Sequence, residues 1–162
     1  MSKIFIKIKL VHLIWLFFLL LNIAFSFSAY SKALATDWLS LKYDKTYLRS
    51  GPSKQNKVLW TYKKKGLPIK LIRKKGDWYE VEMPEQIKGW INSSQISFKR
   101  RVLVISENPI NIRKKEEISS KIVAKASRNV VGELIGCQKR FCKIDFYKIE
   151  GFVEKDSLWG ID

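Results

Sequence analysis

The stretch YLRSGPS, Tyr47–Ser53, sets an Arg, two Ser, a Gly and a Pro directly after a Tyr-Leu pair. Three readings compete for it: a phosphate-gripping loop, a catalytic serine turn, or the bend at the start of a small β fold. A P-loop needs a longer Gly-rich run ending in Gly-Lys-Ser/Thr at a helix start, and RSGPS has neither feature. A nucleophilic Ser needs a base, and the one histidine, His12, lies far upstream in an apolar segment; a Ser–Lys dyad remains open, but nothing singles one out. Pro52 fixes φ and Gly51 relieves a sharp turn, so the stretch reads as a structural bend whose Ser50 and Ser53 hydrogen-bond the turn backbone.

Beyond the bend the apolar runs are short and alternating. Leu67, Ile69 and Leu71 alternate with Pro68, Lys70 and Ile72, and Tyr79, Val81 and Met83 alternate with Trp78, Glu80 and Glu82. Between these runs lies RKKGD, Arg73–Asp77, where Gly76 can take the positive φ of a tight hairpin. No stretch after residue 36 sustains a helical apolar stripe with caps, so the fold class is all-β.

Sliding the chain against itself by about 64 residues reveals a repeat. Leu48-Arg49 falls on Ile112-Arg113, and Lys57-Val58-Leu59 on Lys121-Ile122-Val123. After slips of one residue, which loops absorb, Trp78-Tyr79-Glu80-Val81 meets Phe141-Cys142-Lys143-Ile144, and Gly89-Trp90-Ile91 meets Gly151-Phe152-Val153. The expected architecture is two tandem small β-barrels, over 36–100 and 101–162. Units of that size need dense aromatic packing or a covalent staple. The first half holds Tyr47, Trp60, Tyr62, Trp78, Tyr79 and Trp90; the second has fewer aromatics but both cysteines.

Residues 1–35 differ in kind from the rest. Lys3, Lys7 and Lys9 precede an almost unbroken apolar run from Leu10 to Phe27, and Ala33-Leu34-Ala35 offers the small-x-small pattern of a signal-peptidase site. Cleavage is expected after Ala35, with Ser28 or Ala29 as the alternative site. An uncleaved anchor stays open, because the run can span about 27 Å as a helix. Either outcome places residues 36–162 outside the cytoplasm, in the periplasm or its extracytoplasmic equivalent, with a membrane contact only through an uncleaved segment.

The chain carries a formal net charge of +16; removing the segment takes away four of 31 basic residues and none of the 15 acidic ones, leaving +12. A basic surface suits nucleic acid, anionic lipid or an anionic wall polymer, and export disfavours nucleic acid as a partner. Its basic runs are short and spread along the chain, as solvated turns are.

Cys137 and Cys142 flank QKRF, Gln138–Phe141, where the first half has its Arg73–Asp77 turn. In an exported protein a C-x4-C pair across a hairpin is expected to form a cross-strand disulfide. Zinc would need about four ligands, and the mature chain has no histidine; a reactive thiol would need a nearby base, and none is apparent. No metal and no cofactor are expected.

The order TYLRSGPS, VLWTYKKKGLPIKLI, GDWYEV, KGWINSSQI resembles the bacterial SH3 (SH3b, SH3-like) domain over about residues 44–98. The matching positions are Leu48–Ser53, Gly66, Gly76–Val81, and Gly89-Trp90-Ile91 through Ile96. The second copy, about 108–160, is degenerate: it keeps Ile112-Arg113, Gly151-Phe152-Val153 and Leu158 but has Lys115-Glu116 in place of Gly-Pro. A tandem exported chain ending in DSLWG, Asp156–Gly160, is similar to SH3-like proteins of alphaproteobacteria. The resemblance implies SH3-like barrels and a link to cell-wall peptides.

SH3 folds bind extended peptides in shallow aromatic grooves, since flat rings give contact area with little side-chain entropy to lose. Trp78 lies on the strand face opposite Tyr79 and Val81, and Trp90 is out of phase with Gly89 and Ile91, so both are expected to be partly exposed. With Tyr47 and Tyr62 they are the candidate groove; the alternative is that these rings close barrel ends or pack between repeats. The expected function is non-catalytic binding of peptidoglycan or extended wall peptides, and the alternative is an envelope protein that docks onto another protein. A wall hydrolase would need a Cys–His or metal module beside the barrels, for which the chain has no spare length.

Overall fold

The computed structural model describes residues 37–161; the targeting segment expected over 1–35 lies outside the described residues. The alternating runs become strands β1 (Trp38–Leu41), β2 (Thr46–Arg49), β3 (Val58–Tyr62), β4 (Pro68–Lys75), β5 (Trp78–Glu82), β6 (Lys88–Asn92) and β7 (Ile96–Ser97). The second set comprises β8 (Arg101–Val104), β9 (Ile110–Arg113), β10 (Ile122–Ala126), β11 (Val131–Gln138), β12 (Phe141–Asp145), β13 (Glu150–Glu154) and β14 (Leu158–Trp159). A single 3-10 turn precedes the last strand of each set, and the described residues contain no α-helix. The chain is all-β.

The two sheets have the same strand order, β3-β2-β6-β5-β4-β1-β7 and β10-β9-β13-β12-β11-β8-β14, with antiparallel neighbours throughout. The repeat extends to register. Arg49 pairs with Trp90 as Arg113 pairs with Phe152, and the long hairpins carry matching bulges between Leu71 and Arg73 and between Leu134 and Gly136.

Period-two patterning sends one face of each strand inward. Leu48, Ile69, Val81, Met83 and Ile91 are fully enclosed in the first sheet, and Val102, Val104, Ile112, Cys142, Ile144 and Val153 occupy the second. Each such aliphatic side chain contributes about 1.5–3 kcal/mol by burial. The Gly of each Gly-aromatic-Ile/Val motif has a steric cause. A Cβ on Gly89 would stand 2.7 Å from Leu48 Cγ and 2.9 Å from the Arg49 carbonyl oxygen, and one on Gly151 would stand 2.5 Å from Ile112 Cγ2 and 2.7 Å from the Arg113 carbonyl oxygen. Strand β6 therefore approaches β2, and β13 approaches β9, closer than any side chain at that position permits.

The hairpin tips differ. Gly76 takes φ 55° in the first, as the turn requires, whereas Lys139 takes φ 43° at the matching place in the second. There Cys137 and Cys142 sit opposite each other and form the expected disulfide.

Both sheets fall in one compact unit, and the leading strand of each set is covered on both faces. Leu39 and Leu41 of β1 enter the first core, while Trp38 meets Trp159 of β14 edge-to-face, with ring centroids 4.9 Å apart. In β8, Val102 and Val104 enter the second core and Leu103 enters the first, joined there by Val131 and Trp159. The first core is thus completed by side chains from the second half.

Candidate functional site

Arg49 of the RSGPS bend is a clamp. Its Nη1 donates to the carbonyl oxygens of Lys54 (2.9 Å) and Asn56 (2.8 Å), holding the loop that returns the chain into β3. Ser50 N donates to Lys57 O, Ser53 N to Gly51 O and Asn56 N to Ser53 O, and the Ser53 hydroxyl accepts from Gln55 N. The second half repeats the device in reduced form: Arg113 Nη1 donates to Ser120 O at 3.1 Å. The bend is structural, and it builds one wall of a cleft.

That cleft, about 360 Å3, runs between Ser50-Gly51-Pro52 and the end of β4, where Arg73, Lys74 and Lys75 stand, with Trp90 at its floor. Trp90 faces out of the barrel as its phase requires, yet it is only 7% exposed, because the Arg73 guanidinium lies over its ring at 5.3 Å. This corrects the expectation of a partly exposed Trp90: alternation fixed the face, and a long cation from the neighbouring hairpin covers it. Arg73 Nε also pairs with Glu80.

Of the other candidates, Trp78 shares the outward face of the sheet with Trp90. It pairs with Asn92 while Glu80 pairs with Trp90, and it is half-buried. Tyr47 shares the outward face of β2 with Arg49, its half-buried ring flanked by Lys45 at 5.3 Å and Arg49 at 5.7 Å. Hydrogen bonding and charge attraction with Tyr47 raise the Lys45 pKa above its ordinary value.

Tyr62 goes elsewhere. It pairs with the fully buried Thr46, packs against the first core, and donates its hydroxyl to Glu85 Oε2 at 3.4 Å. Burial first, then the Glu85 charge and hydrogen bond, raise its phenol well above the ordinary range. Three of the four sequence-proposed rings share a face and Tyr62 does not.

Two features escaped the sequence reading. Trp60, on β3 at one end of the strand order, is 55% exposed beside the exposed Leu59. The second barrel also has a cleft at the matching position, about 420 Å3, lined by Glu116, Ile135, Gly136, Cys137, Phe141 and Phe152 among others. Repetition of the hairpin register was the cue that would have located it. Among the described residues no group of three or more His, Cys, Asp or Glu could hold a metal ion.

Among curated proteins, none matches the chain. Among solved structures, NlpC2 from Trichomonas vaginalis is 13% identical, with a TM-score of 0.35 over 77% of this chain and 44% of that one. NlpC1 from the same organism is 12% identical, with a TM-score of 0.35 over 79% and 47%. An NlpC/P60 family protein from Bacillus cereus is 11% identical, with a TM-score of 0.35 over 75% and 55%. The chain spans about half the length of these structures. The family model of the bacterial SH3 domain matches residues 42–97, the stretch that forms the Arg49 clamp, the β4–β5 hairpin and the Trp90 cleft.

Proposed function

We propose that the protein is an exported, non-catalytic binding module whose first barrel holds peptidoglycan or an extended wall peptide. The observation that carries this reading is the open cleft of about 360 Å3 beside the Arg73-covered Trp90, on the sheet face that also carries the half-buried Tyr47 and Trp78 rings. Flat rings on a rigid sheet give an extended ligand contact area at low entropic cost. Export, the wall as ligand and the absence of catalysis come from the leader-like residues 1–35, the family and the lack of any histidine after His12.

The test is co-sedimentation of the full-length protein with purified peptidoglycan at low and high salt, beside a Tyr47→Ala, Trp78→Ala double variant whose melting temperature is checked. Retention at high salt that the folded variant loses supports the reading. Binding that vanishes with salt, or that the variant keeps, refutes it. A second reading, docking onto another envelope protein, is favoured by the exposed Leu59 and Trp60 on β3, which offer an end strand and apolar side chains to a partner's strand.

A further inference from the structure

The repeat supplies an internal comparison. The bulges align Arg73, Lys74 and Lys75 of β4 with Gly136, Cys137 and Gln138 of β11, opposite Glu80, Tyr79 and Trp78 in one hairpin and Lys143, Cys142 and Phe141 in the other. The second barrel builds the same hairpin, bulge and cleft with no cation on that strand; Lys143 of β12 lines the cleft but is paired with Glu150, and the acidic Glu116 lines it too. The fold therefore does not require the three cations of the first.

Their placement is directional. Arg73 and Lys75 stand on the hairpin face that carries Trp90 and line its cleft with the Ser50-Gly51-Pro52 turn, whereas Lys74 stands opposite Tyr79 on the inward face; none of the cleft-lining residues is acidic. Glu80 lies beside the cleft and meets the Arg73 guanidinium through Nε, and Lys74 stands over the Tyr79 ring at 4.9 Å. Asp77 is at the hairpin tip, where its carbonyl accepts from Ser93 N. Arg73 has five N–H donors in a planar fork, and a single carboxylate contact through Nε leaves most of that fork to a ligand. In the second barrel the position of Arg73 is Gly136, where a Cβ would meet nothing within 4 Å, and Phe152 at the place of Trp90 stays partly exposed.

We infer that the first cleft is a carboxylate subsite: Arg73 and Lys75 hold a free carboxylate of an acidic extended peptide whose apolar part packs beside Trp90, and the second cleft does not share this selectivity. This rests on the wall-binding reading above and names the ligand group at that site. The guanidinium, placed over the indole and oriented by Glu80, offers its remaining donors for two-point contact with a carboxylate, and the Lys75 ammonium adds charge without fixing geometry.

The test uses the full-length protein and two forms of purified peptidoglycan, one native and one whose carboxyl groups have been converted to methylamides with carbodiimide and methylamine. Three proteins are compared: wild type, Arg73→Gln/Lys75→Gln, and a Lys63→Gln/Lys99→Gln/Lys125→Gln variant that removes more charge elsewhere. Arg73 and Lys75 are both exposed, so the double variant is expected to keep its melting temperature. The expected result is retention on native material, loss on the amidated form, about tenfold weaker binding by the cleft variant, and a smaller change in the control. Equal binding to both forms overturns the carboxylate subsite and leaves wall binding standing. Binding to neither form overturns both. Loss in the control equal to that in the cleft variant reduces the effect to overall charge, and displacement by inorganic phosphate as readily as by a free acidic peptide makes the subsite a phosphate site; either outcome overturns the inference.

Discussion

Replacing Arg49 by Lys keeps a positive charge at the bend and removes the fork. In the structure one Nη1 reaches two carbonyl oxygens, Lys54 at 2.9 Å and Asn56 at 2.8 Å. A charged donor to a carbonyl contributes about 1.5–3 kcal/mol, and a half-buried site takes the lower end. An ammonium on a flexible stem keeps at best one of the two contacts, so Arg49→Lys should cost about 1.5 kcal/mol. Arg113 makes one contact of this kind, at 3.1 Å, and its loop is also held by Ser120 Oγ accepting from Lys115 N, so Arg113→Lys should cost about 0.5 kcal/mol. For a folded unit of this size these become drops of roughly 5 °C and roughly 2 °C in Tm. Urea unfolding of the full-length protein, followed by tryptophan fluorescence, separates the two. Equal costs for both substitutions, or no measurable cost for Arg49→Lys, would show that the bend does not depend on a two-point clamp.

Replacing both Cys137 and Cys142 by Ser opens a short loop, for which the chain-entropy relation gives a loss of about 2 kcal/mol; reductant should lower the Tm of wild type and leave the double variant unchanged. Gly160 sits at φ 107° with its Cβ position 2.4 Å from the Arg101 carbonyl oxygen, so Gly160→Ala should destabilise by more than about 2 kcal/mol, measured as a shift in denaturant midpoint. The Tyr62 phenol is raised above its ordinary value of 10.0, so its contribution is complete below pH 10.0 and lost as pH rises through the folded value. Stability measured against pH should therefore fall above that point in wild type and fall less steeply in Tyr62→Phe; identical profiles would assign the alkaline loss to other groups.

The bend, the hairpins and the duplication were readable because each has a local cause: Gly51-Pro52 turn chemistry, period-two alternation, and Gly where strands approach closely. What covers a face was not readable. Alternation put Trp90 outward, but the guanidinium above it comes from a strand positioned by the bulge between Leu71 and Arg73, and a bulge leaves no period to detect. WLSL and RVLV, the leading strands β1 and β8, are buried on both faces and lack the half-polar alternation that marks a strand. Tyr62 carries the same residue type as Tyr47 and lies one strand away; only its register against Thr46 turns it inward.

Leu103, Val131 and Trp159 complete a core whose other members end at Ile96. A chain that emerges from its N-terminus, whether from a ribosome or through a membrane pore, presents all seven strands of the first barrel long before Trp159 arrives. Until then the first barrel has a gap where those three side chains belong, and its apolar interior is open to other chains. Premature termination anywhere between residues 101 and 158 would accordingly harm the intact half as well as the missing one, and protease resistance should appear in a single step when the last strand docks.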